Sequence, residues 1–315
     1  MAEQTVVDLI GRVSAERIRR DVFALAGDPL PFRKLNFTLP GHARSTLDEA
    51  DDYIAAQLAG LGYAVGKEPV QVQTFRRDTS KPIHAQYSRP DPADPWYTAH
   101  NLYARKPGTR QPQEIVLLVA HKDSQSWIDS PGANDNAVGT VGILEAARLL
   151  APYASQRSLW FLWCNEEHVP WTSVTAAANA KQRGDNLIAI LNTDGIGRKS
   201  KEDTQARRMR NVTLWTEPAG ERLADLMATV NDRYRIGLEQ SKQRRANPGD
   251  DDGSFVKAGY PAAVVNIGSY PYADPNYHTE EDRPETVDCL NAAMAVRAIV
   301  AAVLTLDRDG FPGPG

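Results

Sequence analysis

Only two cysteines, Cys164 and Cys289, occur in the 315 residues of the chain, too few for a disulfide framework and without the C-x-x-C spacing of a structural zinc site. Both are expected to be plain buried thiols. A basic block is also missing: 36 Lys and Arg against 40 Asp and Glu leave a net charge of −4, which offers nothing to nucleic acid or an anionic membrane surface. No apolar run approaches the roughly 18 residues of a membrane span. The amino end, MAEQTVVDLIGRVSAERIRR, has no apolar core ahead of a small-residue cleavage site. A soluble, cytoplasmic protein is expected, with secretion after removal of a signal segment as the alternative. The G-x-S-x-G elbow, the P-loop and G-x-G-x-x-G are absent, so serine-hydrolase and nucleotide-binding chemistry lose their usual carriers. There is no internal repeat, and the GFPGPG ending reads as a flexible tail over residues 309–315.

What is present is an alternation of strand and helix patterns. Residues 115–121 are continuously apolar until His121, as in a strand buried on both faces of a parallel sheet. A helical pattern follows over residues 138–150, with Asp135 a natural N-cap just before it. Further strands are expected at 63–75, 101–104, 158–163, 187–191, 212–215 and 262–267. Helices are expected at 14–26, from a capping box of Thr46 and Glu49 to Gly62, and at 173–183, 220–234 and 285–306. Residues 30–43 and the four-proline stretch 76–97 read as loops. This order implies an α/β fold with a mostly parallel sheet covered on both faces, in one domain spanning the chain, with the amino-terminal helices of residues 13–62 packed on it.

Polar groups gather where a buried sheet edge does not need them. His121 and Asp123, the pair Glu166 and Glu167, Asp194, and His278 all follow the carboxyl ends of expected strands, the edge where open α/β sheets bind ligands. Taken singly, each has an ordinary role: Asp123 and Asp194 as turn residues, the glutamates on a solvated loop, His278 on the surface. Taken together, converging carboxylates repel one another unless they are protonated or bound to cations. Two histidines with three or four carboxylates suit zinc, or less readily manganese or cobalt. Asp135, Glu167 and Asp194 with a bridging hydroxide would balance two divalent ions. His42, His84, His100 and His168 lack such a setting and read as structural.

The ordered segments HKD, PGANDNAVG, NEEH, NTDGIG and NYHTEED resemble those of the co-catalytic, two-zinc aminopeptidases of the M28 type, over about residues 98–305. The resemblance implies a three-layer α/β/α fold with a mixed, mostly parallel sheet. It implies two zinc ions held by His121, Asp135, Glu167, Asp194 and His278, with Asp135 bridging. Asp123 is then the residue that orients His121, and Glu166 the general base. The implied reaction removes amino-terminal residues from short peptides: the metals lower the pKa of a bound water towards ~7, Glu166 takes its proton, and the hydroxide attacks the peptide carbonyl. The chain departs from the family pattern at EEHVPWTS and DDDGSF. His168, Trp171, Tyr270, Tyr272 and Tyr277 are therefore expected to shape the mouth of the site.

Three other readings compete: a single-zinc glutaminyl cyclase of the same fold, a carboxypeptidase, and a non-catalytic binding relative. The complete set of five ligand positions weighs against the first and the last.

Overall fold

The computed structural model describes residues 2–313, so the last two residues of the expected tail, 314–315, lie outside the described residues. The chain opens with α1 (Ala2–Gly11), α2 (Ala15–Ala26) and α3 (Thr46–Gly60). The edge strand β1 (Val65–Thr74) comes next, followed by a short hairpin of β2 (Arg76–Arg77) and β3 (Tyr87–Ser88), and then by β4 (Tyr97–Lys106). The central unit is β5 (Gln111–His121), a turn over Ala133–Ala137 and α4 (Val138–Leu150). Then come β6 (Arg157–Cys164), β7 (His168–Val169), α5 (Thr172–Arg183), β8 (Asn186–Thr193) and α6 (Lys201–Gln205). The chain closes with β9 (Arg210–Trp215), α7 (Pro218–Arg233), β10 (Glu239–Arg244), α8 (Asp250–Lys257), β11 (Ala263–Ile267) and α9 (Cys289–Asp309).

Among the described residues, nine strands form one sheet in the order β10-β9-β11-β8-β5-β6-β4-β1-β7. The centre, β11-β8-β5-β6, is parallel, and antiparallel pairings join β4 and β9 to it on either side. Strand alternation explains how both faces are buried. Val116, Leu118 and Ala120 of β5 pack into the larger core with α2, α3, α4, α7 and α9, while Ile115, Leu117 and Val119 pack with α5 and α8 on the opposite face. Three layers result, with β5 as the middle of the middle layer.

α9 is long and apolar enough to cross a membrane by length and composition, but most of that stretch is buried inside the fold. Its Val296, Ile299, Val300 and Val303 lie in the larger core, each worth about 1.5–3 kcal/mol on burial. Both cysteines are free, Cys164 buried at the end of β6 and Cys289 half-buried at the start of α9.

Several elements differ from the sequence expectation. The cap of α3 is Ser45, one residue before the expected Thr46: its Oγ accepts from the Asp48 amide at 3.2 Å and donates to the Asp48 carboxylate at 2.7 Å. Asp135 is not a helix cap either. α4 starts at Val138, and Asn136 Oδ1 accepts from the Gly139 amide at 2.9 Å, which leaves the Asp135 carboxylate free for another task. The stretch expected as one loop at 76–97 contains the β2–β3 hairpin. β10 went unexpected because EQSKQR is polar throughout; it pairs only with β9, at the sheet edge. α8 and the short α1 and α6 were likewise not expected.

Candidate metal centre

Four parallel strands end along one edge of the sheet, and the loops leaving them bring the five implied ligand residues together. His121 is the last residue of β5, and Asp194 follows β8. Glu167 lies between β6 and β7, and His278 on the long connection from β11 to α9. Asp135 sits in the turn before α4, at φ −116° and ψ 84°, across a cis Asp135–Asn136 peptide bond. One donor atom from each of His121, Asp135 and Asp194 lies within 4.8 Å of the others, and the same holds for Asp135, Glu167 and His278. The two trios share Asp135. Its Oδ1 is 3.1 Å from His121 Nε2, and its Oδ2 is 3.0 Å from His278 Nε2.

The residues behind these atoms fit a cation site. His121 Nδ1 donates to Asp123 Oδ1 at 3.2 Å, and His278 Nδ1 donates to the His84 carbonyl at 3.0 Å. With Nδ1 so engaged, each ring aims Nε2 into the cluster, where a neutral imidazole would offer its lone pair to a cation. His278 adopts a left-handed backbone, φ 53°, with its ring stacked on Tyr277 at 3.8 Å. Asp135 is steadied by Gln125 Nε2, 2.8 Å from Oδ2, while the buried Asp282 carboxylate accepts from the backbone amides of Asn134 and Asp135.

Asp123 ties two strand ends together. Beyond His121, its oxygens accept from the amides of Glu166 and Glu167, each at 2.9 Å, and from His168 Nδ1 at 2.7 Å. His168 is thus a fully buried partner of Asp123 and not a wall of the mouth. The two glutamates hang from one carboxylate by successive amides. Glu167 turns to His278, 3.4 Å from its Nε2, whereas Glu166 Oε2 is buried without a hydrogen-bond partner.

The electrostatics divide the cluster: burial pushes Asp123 and Asp135 up, but His121, with His168 at Asp123 and His278 at Asp135, pulls both below the usual carboxylate range. Burial works against the charged imidazole of His121, yet Asp123, Asp135 and Asp194 hold it well above its ordinary range. Burial pushes Asp194 up to about 7, against the opposing pull of His121. Burial, then the charges of Asp251 and Asp250, drive Glu166 well above the usual carboxylate range. Burial also raises Glu167, with His278 opposing. The imidazoles thus meet part of the charge, at Asp123 and Asp135, while Asp194, Glu166 and Glu167 are left to take up protons or to meet a cation.

Beside the cluster opens a cavity of about 190 Å³, floored by Glu166, Glu167 and His278. Its walls are the aromatic Phe75, Tyr87, Trp127, Trp171, Tyr272 and Tyr277, with Asp250 beside them. Trp171, Tyr272 and Tyr277 were expected there; Tyr270, also expected, does not line it and is 42% exposed. Sequence reasoning missed Phe75, Tyr87 and Trp127, the last six residues past His121, and it missed the acidic residues that open α8. Asp251 is fully buried beside Cys164 and Ser173, and its charge bears on Glu166. The run of three aspartates before Gly253 was the available signal.

With this geometry in hand, the comparisons decide the family. Residues 101–303 match the sequence model of Peptidase family M28, close to two thirds of the chain. The chain belongs to peptidase family M28. Leucine aminopeptidase 1 of Trichophyton rubrum is 25% identical over 312 residues, covering 95% of this chain and 76% of that protein. Leucine aminopeptidase 1 of Fusarium vanettenii is 28% identical over 197 residues, covering 58% of this chain and 49% of that protein. The M28 chain thus spans about half the length of that relative. Among solved structures, the aminopeptidase from Aneurinibacillus sp. strain AM-1 superposes with a TM-score of 0.71 at 16% identity, covering 96% of each chain. A glutaminyl cyclase from Bacteroides thetaiotaomicron superposes with a TM-score of 0.69 at 15% identity, covering 93% of this chain and 98% of that one. These last two likenesses establish the fold, a mixed and centrally parallel sheet between helices.

Proposed function

We propose that this M28 chain is a two-zinc aminopeptidase that releases the amino-terminal residue of short peptides. The observation that carries the reading is the shared Asp135: two groups of three donors meet at one carboxylate, with one imidazole in each. His121, Asp135 and Asp194 would hold one ion, and Asp135, Glu167 and His278 the other. When bound, the ions would supply Lewis acidity to the peptide carbonyl and to water. The names of the relatives, leucine aminopeptidase and zinc metalloprotease, support this choice of chemistry.

In this reading the chain's own residues divide the work. Glu166, which borders the cavity and has one buried oxygen without a hydrogen-bond partner, takes a proton from the attacking water and hands it to the leaving amine. Asp123 keeps His121 in one tautomer and, through the two amides it accepts, sets the places of Glu166 and Glu167. The aromatic walls limit water around the carbonyl. The full set of five donors favours this reading over a one-zinc cyclase.

Metal analysis of purified protein together with a peptide panel tests the proposal. About two zinc ions per chain and cleavage of peptides with a free amino terminus are expected. A single tightly held ion in zinc-saturated protein, or equal cleavage of amino-acetylated peptides, contradicts it.

A further inference from the structure

Two cavities flank the Asp135 cluster, and they differ sharply in size. The outer one, of about 190 Å³, opens beside Glu166, Glu167 and His278. The inner one lies against Asp194 and Asp135, and its 20 Å³ has room for about one water molecule. Its floor is backbone. A Cβ on Gly268 would meet the Arg198 carbonyl oxygen at 2.1 Å, and one on Gly195, at φ +56°, would meet Asn134 Nδ2 at 3.2 Å. Its far side is an ion pair between the half-buried Arg198 and the buried Asp274, Nη2 to Oδ1 at 3.1 Å. That pair cannot retreat easily, because Arg198 also donates to the Thr286 carbonyl and Asp274 accepts from Asn134 Nδ2 and the Asn276 amide. Moving Arg198 would leave the buried Asp274 carboxylate without its counter-charge. The near wall is formed by Tyr272 and Tyr277, stacked at 4.8 Å, and both rings line both cavities.

Glu166 decides which half of the substrate enters which cavity. A group that protonates the leaving amine must border the space that holds this amine, and Glu166 borders the outer cavity. The residue whose carbonyl is attacked then falls on the Asp194 side. Resting on the aminopeptidase reading, we infer that the inner cavity receives the side chain of the amino-terminal residue and admits only small ones, so that the preferred substrates begin with glycine, alanine or serine. Leucine, in the names of several relatives, is excluded here by rigid backbone and a fixed ion pair. The movable boundary is Tyr272, 43% exposed and otherwise held by its stack and by contacts of 3.5 Å with Asp250.

The test uses the zinc-loaded full chain with p-nitroanilides of glycine, alanine, serine, leucine and phenylalanine. Alanine is expected to exceed leucine in kcat/KM by about tenfold or more, the scale on which a hydrophobic pocket discriminates side-chain size. Tyr272→Ala joins the two cavities without removing a proposed ligand or the base, and should raise the leucine-to-alanine ratio about tenfold. In parallel, free L-alanine should raise the Tm of the zinc-loaded protein and free L-leucine should not. A wild-type preference for leucine or phenylalanine overturns the inference and leaves the aminopeptidase reading standing. If no anilide is cleaved but alanine still stabilises the protein over leucine, the activity reading falls and the small-residue cavity stands. If nothing is cleaved and the two amino acids stabilise equally, both fall.

Discussion

Glu166 and Glu167 are adjacent in the chain yet differ in surroundings, and the difference can be measured. Glu167 faces His278 inside one donor trio, whereas Glu166 belongs to neither trio and borders the outer cavity. Glu166→Gln should keep metal content and fold while turnover falls by the ~10²–10⁴ of a lost general base. Glu167→Gln removes an anionic donor and should shed metal, with activity partly restored by added zinc; equal metal loss in both variants would refute the division. Asp251 gives a second test, through pH. Its negative charge raises the Glu166 pKa, so Asp251→Asn should lower that pKa and move the acid limb of the kcat/KM profile to lower pH. An unmoved limb would mean that Asp251 does not act on the base. At this scale the sequence was most legible where a residue sits at the end of an apolar strand, as His121 and Asp194 do. It was least legible where a role depends on a distant partner. Asp251 matters because α8 folds back beside Glu166, and His84 because its carbonyl, 194 positions away, holds the His278 ring.

The elements that position the site include one that composition marked only as a loop. Arg33, fully buried between α2 and α3, donates to the carbonyls of Leu25, Lys122, Pro131 and Gly132. It staples both ends of the segment that runs from β5 to the turn carrying Asp135. Burial lowers its guanidinium pKa only to about 10, so it remains charged at neutral pH. Arg33→Met leaves four carbonyls without that donor and should destabilise the protein by about 3 kcal/mol or more, at ~1–3 kcal/mol per unsatisfied group. Denaturant unfolding of the metal-loaded variant measures this, and a loss below about 1 kcal/mol would show that water replaces the staple. The central strands and long helices were readable because their apolar periodicity reflects burial on this fold's own faces. β10 and α8 were not, since a polar edge strand and an acid-opened helix carry no such period. The α4 cap was misassigned because Asp135 and Asn136 are equally good capping residues on paper. In the turn as folded, Ala137 holds the cap position, and Asn136 supplies the oxygen that accepts from the first turn, at the Gly139 amide.

For the molecule as a whole, ions bound only to the folded state would stabilise it by mass action, so chelation should lower Tm and zinc should restore it. An unchanged Tm after complete removal of metal would show that the cluster contributes nothing to folding. The two trios also rest on different supports. His121 and Asp194 end hydrogen-bonded strands in the middle of the sheet, whereas Glu167 and His278 stand on loops, the latter braced by the carbonyl of His84 from the excursion between β2 and β3. Local opening of a loop costs less than fraying a central strand. On the two-zinc reading, the two ions would have unequal lifetimes. In a chelator chase, one zinc should leave in a fast phase and the other in a slow one, with a half-loaded protein persisting between them. The slow ion would be the one beside the strand ends, and it would set the resting state of the molecule wherever zinc is scarce.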